Sequence, residues 1–101
     1  MPSRRAMTQS PLALAREAYR LAQEGLPTYS STRSRHDFTQ AQLFAVLALR
    51  QFFRTDYRGI VQMLADFSDL RRELKLTKLP HFTTLQKAEQ RLVKKGVLTL
   101  S

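Results

Sequence analysis

The chain is predicted to be all-α, a compact bundle of about five helices with a helix-turn-helix-like C-terminal part. Three observations predict this. Apolar residues recur at helical spacing, as in Tyr57, Ile60, Val61 and Leu64. Helix-opening polar residues (Ser10, Thr39, Asp56 and Thr83) precede the periodic segments, and Gly25 and Gly96 follow two of them. Strand-like alternation is confined to Val97 to Leu100, too brief a run to define a strand.

The first helix is expected over Leu12 to Glu24, with Ser10 as N-cap, Pro11 at the first helical position and Gly25 just past the end. Its apolar stripe reads as Leu14, Ala18, Leu21 and Ala22, with Arg16, Arg20 and Gln23 facing elsewhere, which suits a half-exposed flap on the main body. Leu26 to Asp37 follows without apolar periodicity and carries Pro27, several Ser and Thr, and the cations Arg33 and Arg35. It reads as a basic linker.

The second helix has the most explicit start. Thr39 and Gln42 fit a capping box, while Phe38 and Leu43 occupy the two positions of a hydrophobic staple. From Ala41 to Leu49 every position except Gln42 is apolar, so this helix belongs at the centre, with Phe52 and Phe53 extending it. Asp56 is suited to cap a third helix, and Ser68 or Asp69 a short fourth one carrying Leu70 and Leu74. The last helix is expected to start at Thr83, with Gln86 three residues on, and to run to Lys95 with Gly96 at C′. Leu85, Ala88 and Leu92 form its apolar stripe. With successive residues about 100° apart, Thr83, Gln86, Lys87, Gln90, Arg91 and Lys94 fall on the opposite arc, and none is acidic. That face is either solvated or binds a partner.

At 101 residues, 43% hydrophobic and 25% charged, the chain has room for one core. It divides into 1–37, the N-terminal helix and basic linker, and 38–101, the helical core. Seventeen Lys and Arg face eight Asp and Glu, giving a net charge of +9. The pI of about 10.9 points to a polyanionic partner. A membrane is the weakest candidate, because the longest apolar run, Leu43 to Leu49, falls far short of the roughly 18 residues a spanning helix needs. Thr8, Gln9, Ser10 and Pro11 stand where a signal peptide would be apolar, and a cytoplasmic location is the expectation. The absence of cysteine removes disulfides, thiolate catalysis and Cys-based zinc sites.

No catalytic constellation emerges. Asp56, Asp66 and Asp69 lie close in sequence and could hold a metal, but Asp56 and Asp69 sit where helix caps are required. His36 and His81 have no partner His at i+4, and both read as loop residues, His81 with a phosphate contact in reach. Gly59 is read as the site of a close helix crossing. No cofactor is indicated, and no catalytic, cofactor or metal residue is assigned.

Nucleic acid fits better. Gln pairs bidentately with adenine, Arg or Lys reaches guanine, and Thr contacts phosphate or a thymine methyl group. The segment from Thr83 to Lys95 carries all of these on one face, as a helix in the major groove must. Arg33 and Arg35, with Arg4 and Arg5, are placed to follow phosphates or enter a minor groove. A solvated basic face remains the alternative.

The stretch from Asp56 to Asp66 (DYRGIVQMLAD), Leu70-Arg71-Arg72-Glu73-Leu74, and Pro80-His81-Phe82-Thr83-Thr84-Leu85-Gln86-Lys87 with Arg91-Leu92 resembles the N-terminal region of bacterial insertion-sequence transposases of the DDE type. Phe38-Thr39 and Gln42-Leu43-Phe44 also fit, so the resemblance spans Leu26 to Leu92. It implies a helix-turn-helix-like domain that recognises the terminal inverted repeats of a mobile element during transposition, a form of DNA recombination. Thr83, Thr84, Gln86, Lys87 and Arg91 would face DNA, and Tyr57 and Leu64 would be packing residues. In that family an RNase H-like domain follows, whose acidic residues bind two metal ions. This chain is too short to hold it, so the expectation is a domain that is not an enzyme by itself, whether a truncated frame, a first frame or an isolated domain. Two alternatives stay open. One is a protein-protein interaction module, with the first helix mediating homo-oligomerisation or assembly with full-length transposase. The other is a truncated product that inhibits by competing for transposon ends.

Overall fold

The computed structural model describes residues 10–29 and 37–96, and all regular structure within them is helical. The order is α1 (Pro11–Gly25), α2 (Gln40–Phe53), α3 (Tyr57–Asp66), α4 (Ser68–Glu73) and α5 (Phe82–Lys94). The all-α expectation is met in these residues.

Local chemistry sets most of the boundaries. The Ser10 hydroxyl accepts the Ala13 amide at 3.0 Å, with Pro11 opening α1. Gly25 is the last helical residue rather than a left-handed residue beyond the end; α1 stops at Leu26, whose N–H still reaches Ala22 O at 2.8 Å. The Thr39 capping box is complete: Thr39 Oγ1 accepts the Gln42 amide at 3.1 Å and Gln42 Oε1 accepts the Thr39 amide at 2.9 Å. Arg54, with φ of 55°, ends α2 in the left-handed region, and Asp56 caps α3 through a 2.7 Å bond from the Gly59 amide.

One expected cap is replaced here. Phe67, not Ser68 or Asp69, is the N-cap of α4, and no side chain closes that end. Helix α4 starts one residue early, leaving Asp69 in the first turn with Arg72 at 3.3 Å. Gly59 is also not at a helix crossing. A Cβ there would lie 1.9 Å from Thr55 Oγ1 and 3.2 Å from Thr55 Cβ, so the residue is kept small by its own capping segment.

Helix α2 is the hub, packing against α1, α3 and α5, while α4 rests on α1 and α3. Leu43, Ala45, Val46, Leu47 and Leu49 of α2 form one cluster with Ile60, Leu64, Leu70, Leu74, Leu85, Ala88 and Leu92. Each such leucine contributes about 1.5–3 kcal/mol by leaving water. Ala15 and Ala18 join the same cluster from α1. The buried stripe of that helix is Ala15, Ala18 and Ala22; Leu21, expected inside, is 55% exposed, and Leu14 is half-buried. Small residues at the contact let two helix backbones approach closely, so the alanines win the inner face over the leucines.

One buried polar residue ties remote segments together. Gln42 donates from Nε2 to the carbonyls of Leu74 (3.0 Å) and Lys75 (3.1 Å) in addition to closing its own helix cap. This holds the turn after α4, in which Lys75 adopts a left-handed φ of 58°. That turn begins the eight-residue path from Leu74 to His81 that delivers the chain to α5.

Candidate nucleic-acid interface

Helix α5 starts one residue before the expected position, and its N-cap is His81. The His81 Nδ1 accepts the Thr83 amide at 3.2 Å and lies 2.8 Å from Thr83 Oγ1. Accepting at Nδ1 places the ring proton on Nε2. Thr83 is therefore capped rather than capping, and the Thr83–Gln86 box does not form; Pro80, fully buried, fixes the entry so that the imidazole reaches the first turn. At the other end Gly96 takes a φ of +78°, as a C′ glycine should.

Leu85, Ala88 and Leu92 seat the helix on α2 and α3. The fourth inward residue is charged. Glu89 is only 7% exposed, and both its oxygens face Arg50 Nη2 at 3.2 and 3.4 Å. The Tyr57 hydroxyl donates to Glu89 Oε1 at 2.7 Å, and the Arg50 guanidinium lies 4.8 Å over the Tyr57 ring. Arg50 also donates from Nη1 to the Thr55 carbonyl at 3.1 Å. The end of α2, the start of α3 and the middle of α5 are thus joined by one clasp. Burial raises the Tyr57 hydroxyl above its usual pKa, and the hydrogen bond to Glu89 and that carboxylate's charge add to the shift. Glu89 went unassigned in the sequence because acidic residues suggest solvent. Its spacing gives it away, since it lies four residues after Leu85 and three before Leu92.

The opposite arc is only partly exposed. Gln86, Lys87, Gln90 and Lys94 are exposed, whereas Thr83, Thr84 and Arg91 are half-buried. Arg91 Nε is buried and has no hydrogen-bond partner. Helix α5 thus brings Thr83, Thr84, Gln86, Lys87, Gln90, Arg91 and Lys94 together on one element. Arg33 and Arg35, like Arg4, Arg5 and His36, lie outside the described residues.

Charge is distributed unevenly around the bundle. All eight acidic side chains are engaged away from the outer arc of α5. Glu73 meets Arg16 at 3.0 Å, Glu17 and Glu24 meet Arg20, and Asp69 meets Arg72. Asp37 meets Lys78, Asp56 caps α3, and Asp66 accepts from Gln62 at 3.1 Å. The hydrogen bond from Arg16, with its charge, pulls the Glu73 carboxyl below the usual carboxylate range. Glu89 is the sole acid of α5 and points inward. Lys87, Arg91, Lys94 and Lys95 take part in no ion pair among the described residues.

Other chemistry finds less support. Asp56, Asp66 and Asp69 do not converge, and among the described residues no three His, Asp or Glu side chains gather as a metal-ligand set. No helix of the described residues is long and apolar enough to cross a membrane. Compared with protein-family models, with curated proteins and with solved structures, the chain matches none.

Proposed function

We propose that this chain is a DNA-binding domain that presents the outer arc of α5 to double-stranded DNA and is not catalytic by itself. One observation carries the reading: the only carboxylate of α5 is buried in the Arg50–Tyr57 clasp, while Lys87, Arg91, Lys94 and Lys95 have no ion-pair partner among the described residues. Lysines and arginines of such a surface capture phosphates, and Gln86 and Gln90 between them are suited to base edges. The clasp makes the arc rigid relative to the bundle, so little ordering entropy is lost on docking.

The resemblance of residues 26–92 to insertion-sequence transposases makes the terminal inverted repeats of a mobile element the proposed target. In this reading α3 and α5, which pack together, form the helix-turn-helix-like pair. Electrophoretic titration with inverted-repeat and random duplexes at two salt concentrations tests it. Specific binding gives a lower dissociation constant for the repeats, and phosphate contacts give a steep loss of affinity with salt. Equal, salt-insensitive binding would contradict it.

A second reading, as an interaction module, is favoured by an apolar cleft of about 300 Å³ lined by Pro11, Leu12, Phe53, Phe67 and Leu70. Phe67 at its rim is 55% exposed. Self-association that disappears in Phe67→Ser, measured by sedimentation, would support that role.

A further inference from the structure

Beside the first turn of α5 lies a second cleft, of about 290 Å³, with Arg58 and Gln62 of α3 on one wall and Leu79, Pro80, His81 and Phe82 on the other. Arg58 and Gln62 are four residues apart and so share one face of α3. The Arg58 guanidinium sits 4.3 Å over the Phe82 ring, and the Phe82 and His81 rings lie 4.5 Å apart at 33°. Arg58 is exposed and has no acidic partner among the described residues. Phe82 covers one side of its guanidinium, and the residue as a whole is exposed. Leu79, beside it, is 37% exposed.

We infer that this cleft receives one unpaired nucleobase, stacked on the exposed Arg58 guanidinium, with the carboxamide oxygen of Gln62, whose Nε2 donates to Asp66, at the base edge. The inference rests on the DNA-binding reading above and adds a site that the outer arc of α5 does not supply. Three features select a base. Its walls are largely apolar with a single cation, whereas a phosphate calls for several converging donors. A planar cation on an aromatic ring is one of the surfaces on which unstacked bases lie in nucleic-acid complexes. The volume, at the small end of ligand pockets, suits one ring system rather than a strand. A paired base shows the protein only its edge, so the cleft selects bases released from pairing at a duplex end or a distortion. Phe82 and Gln86 share one edge of α5, which makes the cleft continuous with the proposed groove-facing arc.

The test uses the full chain and fluorescence anisotropy with one duplex in three forms: blunt, with a single-nucleotide overhang, and with the same overhang lacking its base. The overhang is expected to bind about tenfold more tightly than the blunt form, and the abasic overhang to bind like the blunt one. Arg58→Lys retains the charge but not the plane, and should bring the overhang-to-blunt ratio to near one; Phe82→Leu should lower it as well, with circular dichroism confirming that both variants fold. Equal affinity for blunt and overhang forms overturns the inference alone. An abasic overhang as good as the complete one overturns it in favour of a phosphate site, and so does a ratio unchanged by Arg58→Lys. Failure to bind any duplex overturns the DNA-binding reading together with it.

Discussion

The Tyr57 hydroxyl donates a 2.7 Å hydrogen bond to Glu89 Oε1, joining the first residue of α3 to the only acidic residue of α5. Arg50 closes the same carboxylate from α2, so the orientation of the cationic arc is set by a buried polar group as well as by leucines.

Removing Glu89 strands the Arg50 guanidinium, whose side chain is only 19% exposed, without its counter-charge. Glu89→Ala should cost about 3 kcal/mol in denaturant unfolding, as breaking a buried pair does. Tyr57→Phe removes one hydrogen bond to a charged acceptor and should cost about 1.5 kcal/mol. Losses below about 0.5 kcal/mol for both would show that the leucines alone hold α5.

Tyr57 also gives the clasp a pH dependence of known sign. Its folded pKa lies above the usual tyrosine value, so its contribution is complete below the unfolded value, about 10, and is lost as pH rises toward the folded one. Thermal melts of wild type and Tyr57→Phe should therefore converge as pH rises above about 10. A gap that stays constant to higher pH would place the tyrosine effect in packing rather than in the hydrogen bond.

Gln42 serves two segments remote from each other in sequence. Gln42→Ala opens the α2 cap and leaves the Leu74 and Lys75 carbonyls without their donor, and should cost about 2–3 kcal/mol. Lys75, at φ of 58°, is a non-glycine residue in the left-handed region, and Lys75→Gly should raise the melting temperature by a few degrees, about 1 kcal/mol of relief. A lower melting temperature for Lys75→Gly would mean that unfolded-chain entropy outweighs the relief of strain.

What could be read from the sequence was local. The Thr39–Gln42 box, the Ser10 and Asp56 caps and Gly96 at C′ all depend on residues within four positions of one another, and all form as the spacing predicts. Tertiary competition decided the rest. The alanines of α1 displaced Leu21 from the interface because close helix approach outweighed side-chain size. His81 took the cap expected of Thr83 because Pro80 is buried against the bundle. The exposed polar residues of α5 were legible from the apolar stripe alone, but the second and third roles of Gln42 were not. They join positions 32 and 33 residues apart, and nothing in local spacing encodes that.

Under the proposed function, the location of the positive charge, rather than its total, governs DNA binding. The most direct measurement compares two double variants of equal charge, Lys87→Ala/Lys94→Ala on α5 and Arg16→Ala/Arg20→Ala on α1, by salt-dependent binding to a random-sequence duplex. Each lost phosphate contact flattens the log–log salt slope by about 1. The α5 pair should lose affinity and flatten the slope by about 2, whereas the α1 pair, whose arginines are already engaged by Glu73, Glu17 and Glu24, should bind as wild type. Equal losses in both variants would contradict the account and leave net charge as the whole explanation.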